Sequence, residues 1–148
     1  MPSVRHDAYG LPVTTGSGDA LEAYDRAVEG LLGWDAQALD RFRTAATTDP
    51  GLALAHAGAA VCLFLDERFV EARESAKIAR AVVGAQTERE RSHVEALALL
   101  VEGKTSAVEA AMTRHLDDYP RDLVFSSGCI SSGSGRGSSP RCSTSRAC

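Results

Sequence analysis

Aromatic residues are scarce in this chain. They make up 5% of its 148 residues, while hydrophobic residues as a whole make up 44%. A core built mainly from small side chains suits closely packed helices better than a sheet. Period-two runs of β-branched residues are missing too, apart from short stretches such as Val82-Val83, which argues against a mainly β fold. Basic charge is not in excess. The formal net charge is −4, against the usual balance of a nucleic-acid binder. No run of about 18 apolar residues occurs, so no membrane-spanning helix is expected. Met1 to Gly16 holds no apolar stretch of the secretory kind, and a cytoplasmic location is the default expectation. GxGxxG, the P-loop, HExxH and GxSxG are all absent. No cofactor is expected, and the chain is expected not to be an enzyme.

Cysteine and acidic charge are unevenly spread. Residues 126–148 hold nine Ser, four Gly, three Arg and three Cys, with no Asp or Glu. Such a segment buries too little apolar surface to offset the entropy of ordering. The expectation is a disordered Ser/Gly/Cys-rich tail. Its abrupt start, just where a seventh helix should begin, favours a reading-frame shift over a natural tail, and hence a truncated chain. Cys129, Cys142 and Cys148 match no zinc spacing, and no metal site is expected. Gly133-Ser134-Gly135-Arg136-Gly137 follows no strand and opens no helix, so it is not read as a phosphate loop. Cys62 lies in an apolar helix and reads as a small buried hydrophobe.

What is present is a period. Asp49-Pro50 and Tyr119-Pro120 lie 70 residues apart, about two turns of a 34-residue helix-pair repeat. Counting back from each proline pairs Ala38 with Val108, Phe42 with Met112 and Ala45 with His115. Small, bulky, small is the pattern that close approach of a second helix to its neighbours requires. The first copy fits well, whereas His115 is not small. Gly58 and Ala96 take the small position in the first helices of the middle and last units. Ala72, Ala76 and Ala79 fit the second helix of the middle unit if its loop is about two residues longer.

The apolar stripes give six helices. The first covers Asp19 to Leu32 (Leu21, Tyr24, Val28, Leu31, Leu32), capped by Ser17 or Asp19 and stopped by Gly33. The second covers Ala36 to Thr48 with Asp35 as cap. The third opens at Asp49 with Pro50 in its first turn and is apolar at nearly every position from Ala53 to Leu65, the mark of a central helix. The fourth covers Arg68 to Val83 and the fifth opens with the capping box Thr87-Glu88-Arg89-Glu90 and stops at Gly103. The sixth covers Ser106 to Tyr119, with Val108, Ala111, Met112, His115, Leu116 and Tyr119 on one face. Units of about 17–50, 51–84 and 85–120 follow an extended N-terminal arm, 1–16, within a helical domain ending at 125.

Four groups of residues merit weighing for function. His56, His93 and His115 fall on three helices, and a metal or acid–base site would need two of them to converge with a carboxylate. The spacing does not demand that. His56 reads as a hydrogen-bonded core residue, and Glu88-Arg89-Glu90-Arg91 as a solvated first turn. Arg73, Lys77 and Arg80 recur at helical spacing on the fourth helix. They read as a solvated face, or as a groove lining for an acidic peptide end together with Arg89 and His93. Trp34 reads as a packing anchor in the turn between the first two helices.

The order Asp7-x-x-Gly10-Leu11-Pro12-Val13-Thr14-Thr15, Asp49-Pro50-x-x-Ala53-x-Ala55-His56, Arg89-Glu90-Arg91-x-His93-Val94 and His115-Leu116-x-x-Tyr119-Pro120-Arg121-Asp122 resembles the N-terminal part of the tetratricopeptide repeat protein 38 family, over about residues 5–125. The resemblance implies an all-α, TPR-like solenoid of about three antiparallel helix hairpins in a chain whose relatives are several times longer. It brings a fold and no reaction. The expected function is a protein-interaction scaffold holding a peptide or helix in its concave face, with an unidentified protein partner, no nucleic acid and no membrane. The alternatives are an enzyme or enzyme subunit using His56, His93 and nearby Glu, or a truncated product without function of its own.

Overall fold

The structure is a computed structural model, and it describes residues 2–126. The expectation of a disordered tail over 126–148 falls outside these residues, apart from Ser126. Seven helices follow a small antiparallel hairpin. The strands are β1 (Ser3–His6) and β2 (Pro12–Thr15), and the helices are α1 (Gly18–Leu32), α2 (Ala38–Thr48), α3 (Ala53–Leu65), α4 (Phe69–Val83), α5 (Glu88–Val101), α6 (Thr105–Asp118) and α7 (Leu123–Ser126). The first six helices agree with the apolar stripes in number and phase, and α7 falls where a seventh helix was expected to begin. Each end shifts by a residue or two, except that α3 starts at Ala53 instead of capping on Asp49.

α1, α3 and α5 stop by the same device. At the end of α1, Trp34 N–H donates to Leu31 and Asp35 N–H to the Gly30 carbonyl. Glu67 and Arg68 repeat this after α3, on Phe64 and Leu63, and Gly103 and Lys104 repeat it after α5, on Leu100 and Leu99. The residue at the turn is left-handed each time, with φ 58° at Trp34, 60° at Glu67 and 75° at Gly103. This satisfies carbonyls that a helix end would otherwise leave unpaired. Only the third copy uses the glycine that such a φ favours. Trp34 is held there 66% exposed, so it is not the packing anchor its apolar character suggested.

The helices pack in sequential pairs. α1 lies on α2, α3 on α4 and α5 on α6, while α3 also touches both α1 and α5. Loops this short make sequential helices antiparallel. Ten of the thirteen residues of α3 are buried, as its continuous apolar sequence requires. α7 reaches back to touch α1 as well as α6.

Gly58 shows why the small–bulky pattern matters. A Cβ at this position would overlap the ring of Phe42, which lies flush against the α3 backbone. Phe42 is 1% exposed and meets Tyr24 edge-on at 6.0 Å. The helix gains about 1 kcal/mol from Gly→Ala by propensity, but overpacking of this kind costs about 1–3 kcal/mol. Gly58→Ala is therefore expected to lower stability in urea denaturation, where an exposed helical Gly→Ala would raise it. An unchanged or higher midpoint would disprove the contact.

The N-terminal arm is a folded hairpin. Ser3 pairs with Thr15, Val4 with Thr14, Arg5 with Val13 and His6 with Pro12. Asp7 closes its turn by accepting Tyr9 and Leu11 N–H groups, and Gly10 takes the positive φ of 77°. Val13 and Leu11 are buried, while all of β1 is exposed. Four residues alternating on a half-buried strand gave too short a period-two signal to read in advance.

Candidate functional site: a buried Arg–His–Asp cluster

Burial of ionisable groups is concentrated at one place. Arg89, Glu90, His93, His115 and Asp122 are each at most 2% exposed. α5 supplies Arg89, Glu90 and His93 from its first turns, where the Thr87–Glu90 capping box fixes the helix start. α6 supplies His115 from its last turn. Asp122 follows Pro120, in the turn closed by its own N–H on the Tyr119 carbonyl, just before α7.

All of these except Glu90 converge on a single carboxylate oxygen. Asp122 Oδ2 lies 2.8 Å from His93 Nδ1, 2.8 Å from His115 Nε2, 3.1 Å from Arg89 Nε and 2.9 Å from an Arg89 terminal nitrogen. The second ring nitrogen of His115 lies 2.8 Å from Ser92 Oγ. Phe125 packs both imidazoles at 4.8 Å, and Tyr119 lies against His115 at 5.2 Å. Arg89 also donates to the Pro12 carbonyl and faces Asp7 of the hairpin turn at 3.6 Å. Tyr24 of α1 lies beside it, and burial pushes that phenol well above its ordinary range.

A second set of contacts fastens the hairpin. Thr14 gives both its N–H and its hydroxyl to Glu90, at 2.6 and 2.7 Å. Thr15 donates its hydroxyl, and Gly16 its N–H, to Asp49 Oδ2. Glu90 thus caps α5 and holds β2 with the same carboxylate. Asp49 serves as an anchor for the hairpin and not as the cap of α3.

The run Glu88-Arg89-Glu90-Arg91 is consequently split, and the reading of it as a solvated turn is corrected for its middle. Arg89 and Glu90 point inward; Glu88 and Arg91 are exposed. The structure brings Arg89 and His93 together, while Arg73, Lys77 and Arg80 lie elsewhere, on α4. Arg80 pairs with Glu95 of α5 and with Glu102 just after it, Lys77 pairs with Glu74, and Arg73 is exposed. His56 donates from Nε2 to the Pro50 carbonyl, 3.0 Å away, and is only half-buried. Among the described residues it shares no hydrogen-bond partner with His93. The convergence of two histidines on a carboxylate, which the spacing did not demand, does occur, but through His115 and Asp122. His115 had a visible signal, since it breaks the small-residue pattern.

The cluster's electrostatics favour one protonation state. Burial drives the His93 pKa below the ordinary histidine value, so its imidazole is neutral. Burial alone would raise Asp122, but His93, His115 and Arg89 outweigh it and hold the carboxyl far below the usual carboxylate range. Arg89⁺ and Asp122⁻ thus form an ion pair completed by imidazole donors. Such a pair is not in itself a large source of stability, but removing one partner strands the other charge.

Comparison with family models, with curated proteins and with solved structures finds no match for this chain.

Asp122→Asn should lower the unfolding free energy by about 3–5 kcal/mol, the usual cost of leaving a buried charge unpaired. A loss under about 1 kcal/mol by chemical denaturation would mean that Arg89 is solvated. The acid response should come in two steps. His93 has a depressed folded pKa, so its contribution is complete above pH 6.5, its ordinary value, and declines as pH falls below it. Asp122 is depressed from 3.8, so its contribution is lost only below that pH. Thermal melts from pH 8 to 3 should therefore start to fall near pH 6.5, and His93→Gln should remove that first step.

Proposed function

We propose that this protein is an interaction scaffold of the helical-repeat, TPR-like type. Its partner segment is an amphipathic helix, and its docking place is the groove between α2 and α4. The recurrence of one helix-stop device at Trp34, Glu67 and Gly103 supports the repeat reading. The observation that carries the function is the groove. α2 and α4 flank α3 and leave an open cleft of about 320 Å³, floored by Ala59 and Leu63 and walled by Ala46, Val70 and Ile78. Val70 is 72% exposed and Ile78 46% exposed, a cost in water that a docked apolar face would recover. The facing side of α1 and α5 is already taken by the chain's own β2. That moves the docking place away from the concave side expected from the sequence.

The test is selection of helical peptides from a display library against the full chain. Winners should carry apolar residues at i, i+3/i+4 and i+7. Ile78→Asp should weaken them at least about tenfold, since burying one aliphatic side chain contributes about 1.5–3 kcal/mol. Arg73→Ala, on the same helix outside the groove lining, should leave them unchanged. Binders insensitive to Ile78→Asp, or none at all, would overturn the reading.

A further inference from the structure

The repeat supplies an internal control for the cluster. Aligning the left-handed residues Trp34 and Gly103 places Ala20 and Tyr24 of α1 opposite Arg89 and His93 of α5. Aligning Pro50 and Pro120 places Ala45 opposite His115 and Leu52 opposite Asp122. All eight residues are buried. The first junction closes with Ala, Tyr, Ala and Leu, whereas the last uses Arg, His, His and Asp at matching places. Packing at these positions does not need charge, and an apolar replacement of a buried ion pair is often neutral or stabilising. A chemical task is a better reason for four coordinated departures.

We propose that His93 Nδ1, His115 Nε2 and Asp122 Oδ2 form a binding site for a divalent transition-metal ion such as zinc. The three donor atoms lie within 4.8 Å of one another and come from three successive elements. Two imidazoles and one carboxylate suit zinc or another borderline first-row ion. Metal–ligand bonds of about 2 Å put donors in a tetrahedral site about 3.3 Å apart. Each histidine nitrogen is 2.8 Å from the carboxylate oxygen, so widening by about half an ångström makes room.

The surroundings also suit a ligand set. Ser92 Oγ meets His115 Nδ1, the nitrogen a metal would leave free. A hydroxyl both donates and accepts, so it supports the tautomer with Nε2–H when that nitrogen donates to Asp122. Equally, it supports the tautomer with bare Nε2 when the nitrogen binds a cation. Arg89 is the counter-argument, because its guanidinium shares the same oxygen. Asp7 offsets it. One arginine faces two carboxylates, Asp7 and Asp122, so its charge is more than offset within the pocket. Ion access requires local opening, and α7 is only one turn long, the kind of element that opens before the fold does. Once bound, the ion would tie α5 and α6 to the start of α7.

Cobalt(II) titration of the full chain is the deciding experiment, because visible ligand-field bands report the donor set. The expected result is one equivalent bound, with visible bands and no thiolate charge-transfer absorption, displaced by zinc. Zinc should also raise the melting temperature. His93→Gln and His115→Gln should abolish the bands. Ser92→Ala, a milder change, should weaken binding about tenfold at unchanged stoichiometry, and it keeps the test decisive if the histidine variants fail to fold by circular dichroism. Absence of bands would overturn the site. So would thiolate absorption abolished by blocking the cysteines, affinity unchanged in Ser92→Ala, or affinity unchanged in either folded histidine variant.

Discussion

Everything at the last helix junction hangs on the carboxylate of Asp122. Four nitrogen contacts meet one of its oxygens, in a place that water does not reach. An isolated carboxylate there would carry a desolvation cost of several kcal/mol. Arg89 offsets that cost, and the two histidines supply further donors that Arg89 alone could not. In return, Asp122 fixes the ring planes of both histidines and the direction of the guanidinium. With Arg89 so held, its remaining donors reach the Pro12 carbonyl and the Asp7 carboxylate. The hairpin is therefore tied to α6 and α7 through one arginine, although the chain segments lie far apart in sequence.

Glu90, the next residue along α5, has the matching role. Its side chain completes the capping box of α5 and accepts two hydrogen bonds from Thr14. Helix initiation and hairpin docking thus share a group, so neither forms fully without the other. The exposed β1 has only its partner strand for support, which makes β2, with Leu11 and Val13 buried, the anchoring half. A two-stranded hairpin is marginal alone; this one persists because α1 and α5 cover its inner edge residues.

Much of the helical architecture was legible because it obeys short-range rules. Apolar spacing marked six helices, Thr87-x-x-Glu90 marked a cap, and the two proline turns set the phase. Gly58 and Phe42 were marked as a small and a bulky position, and the close approach of the Phe42 ring to the α3 backbone gives the physical reason for both. The cluster was hidden for a different reason. Charged residues in a first helical turn normally face water and gain from the helix dipole, so Arg89 and Glu90 looked ordinary. Only a second element pressed on that turn buries them, and the hairpin is too short to show itself by period. Asp122 lay in a Pro-Arg-Asp stretch that reads as a turn, and no local rule says that a turn carboxylate will meet a helix of the same unit.

The internal comparison between the first and last junctions converts that hidden feature into an argument. Two junctions with the same proline turn and the same helix-stop device differ in what fills them. Tyr24 and Phe42 meet edge-on in the first, with Ala45 and Leu52 beside them. The last keeps the aromatic packing through Phe125 and Tyr119 but inserts four groups that hold or move protons. Close-packed interiors transmit a change in one side chain to its neighbours. Asp122 therefore controls more than its own turn: any ion, proton or substitution that alters its charge acts at once on α5, on the last turn of α6 and, through Arg89, on the hairpin. The outer groove between α2 and α4 has no such coupling to the cluster. Its walls come from the middle of the chain, where Ala59 and Leu63 of α3 form the floor and the exposed Arg43–Glu71 pair joins the lining. The two regions divide the molecule physically, one dry and electrostatic, the other open and apolar, so a substitution in either should be readable without disturbing the other.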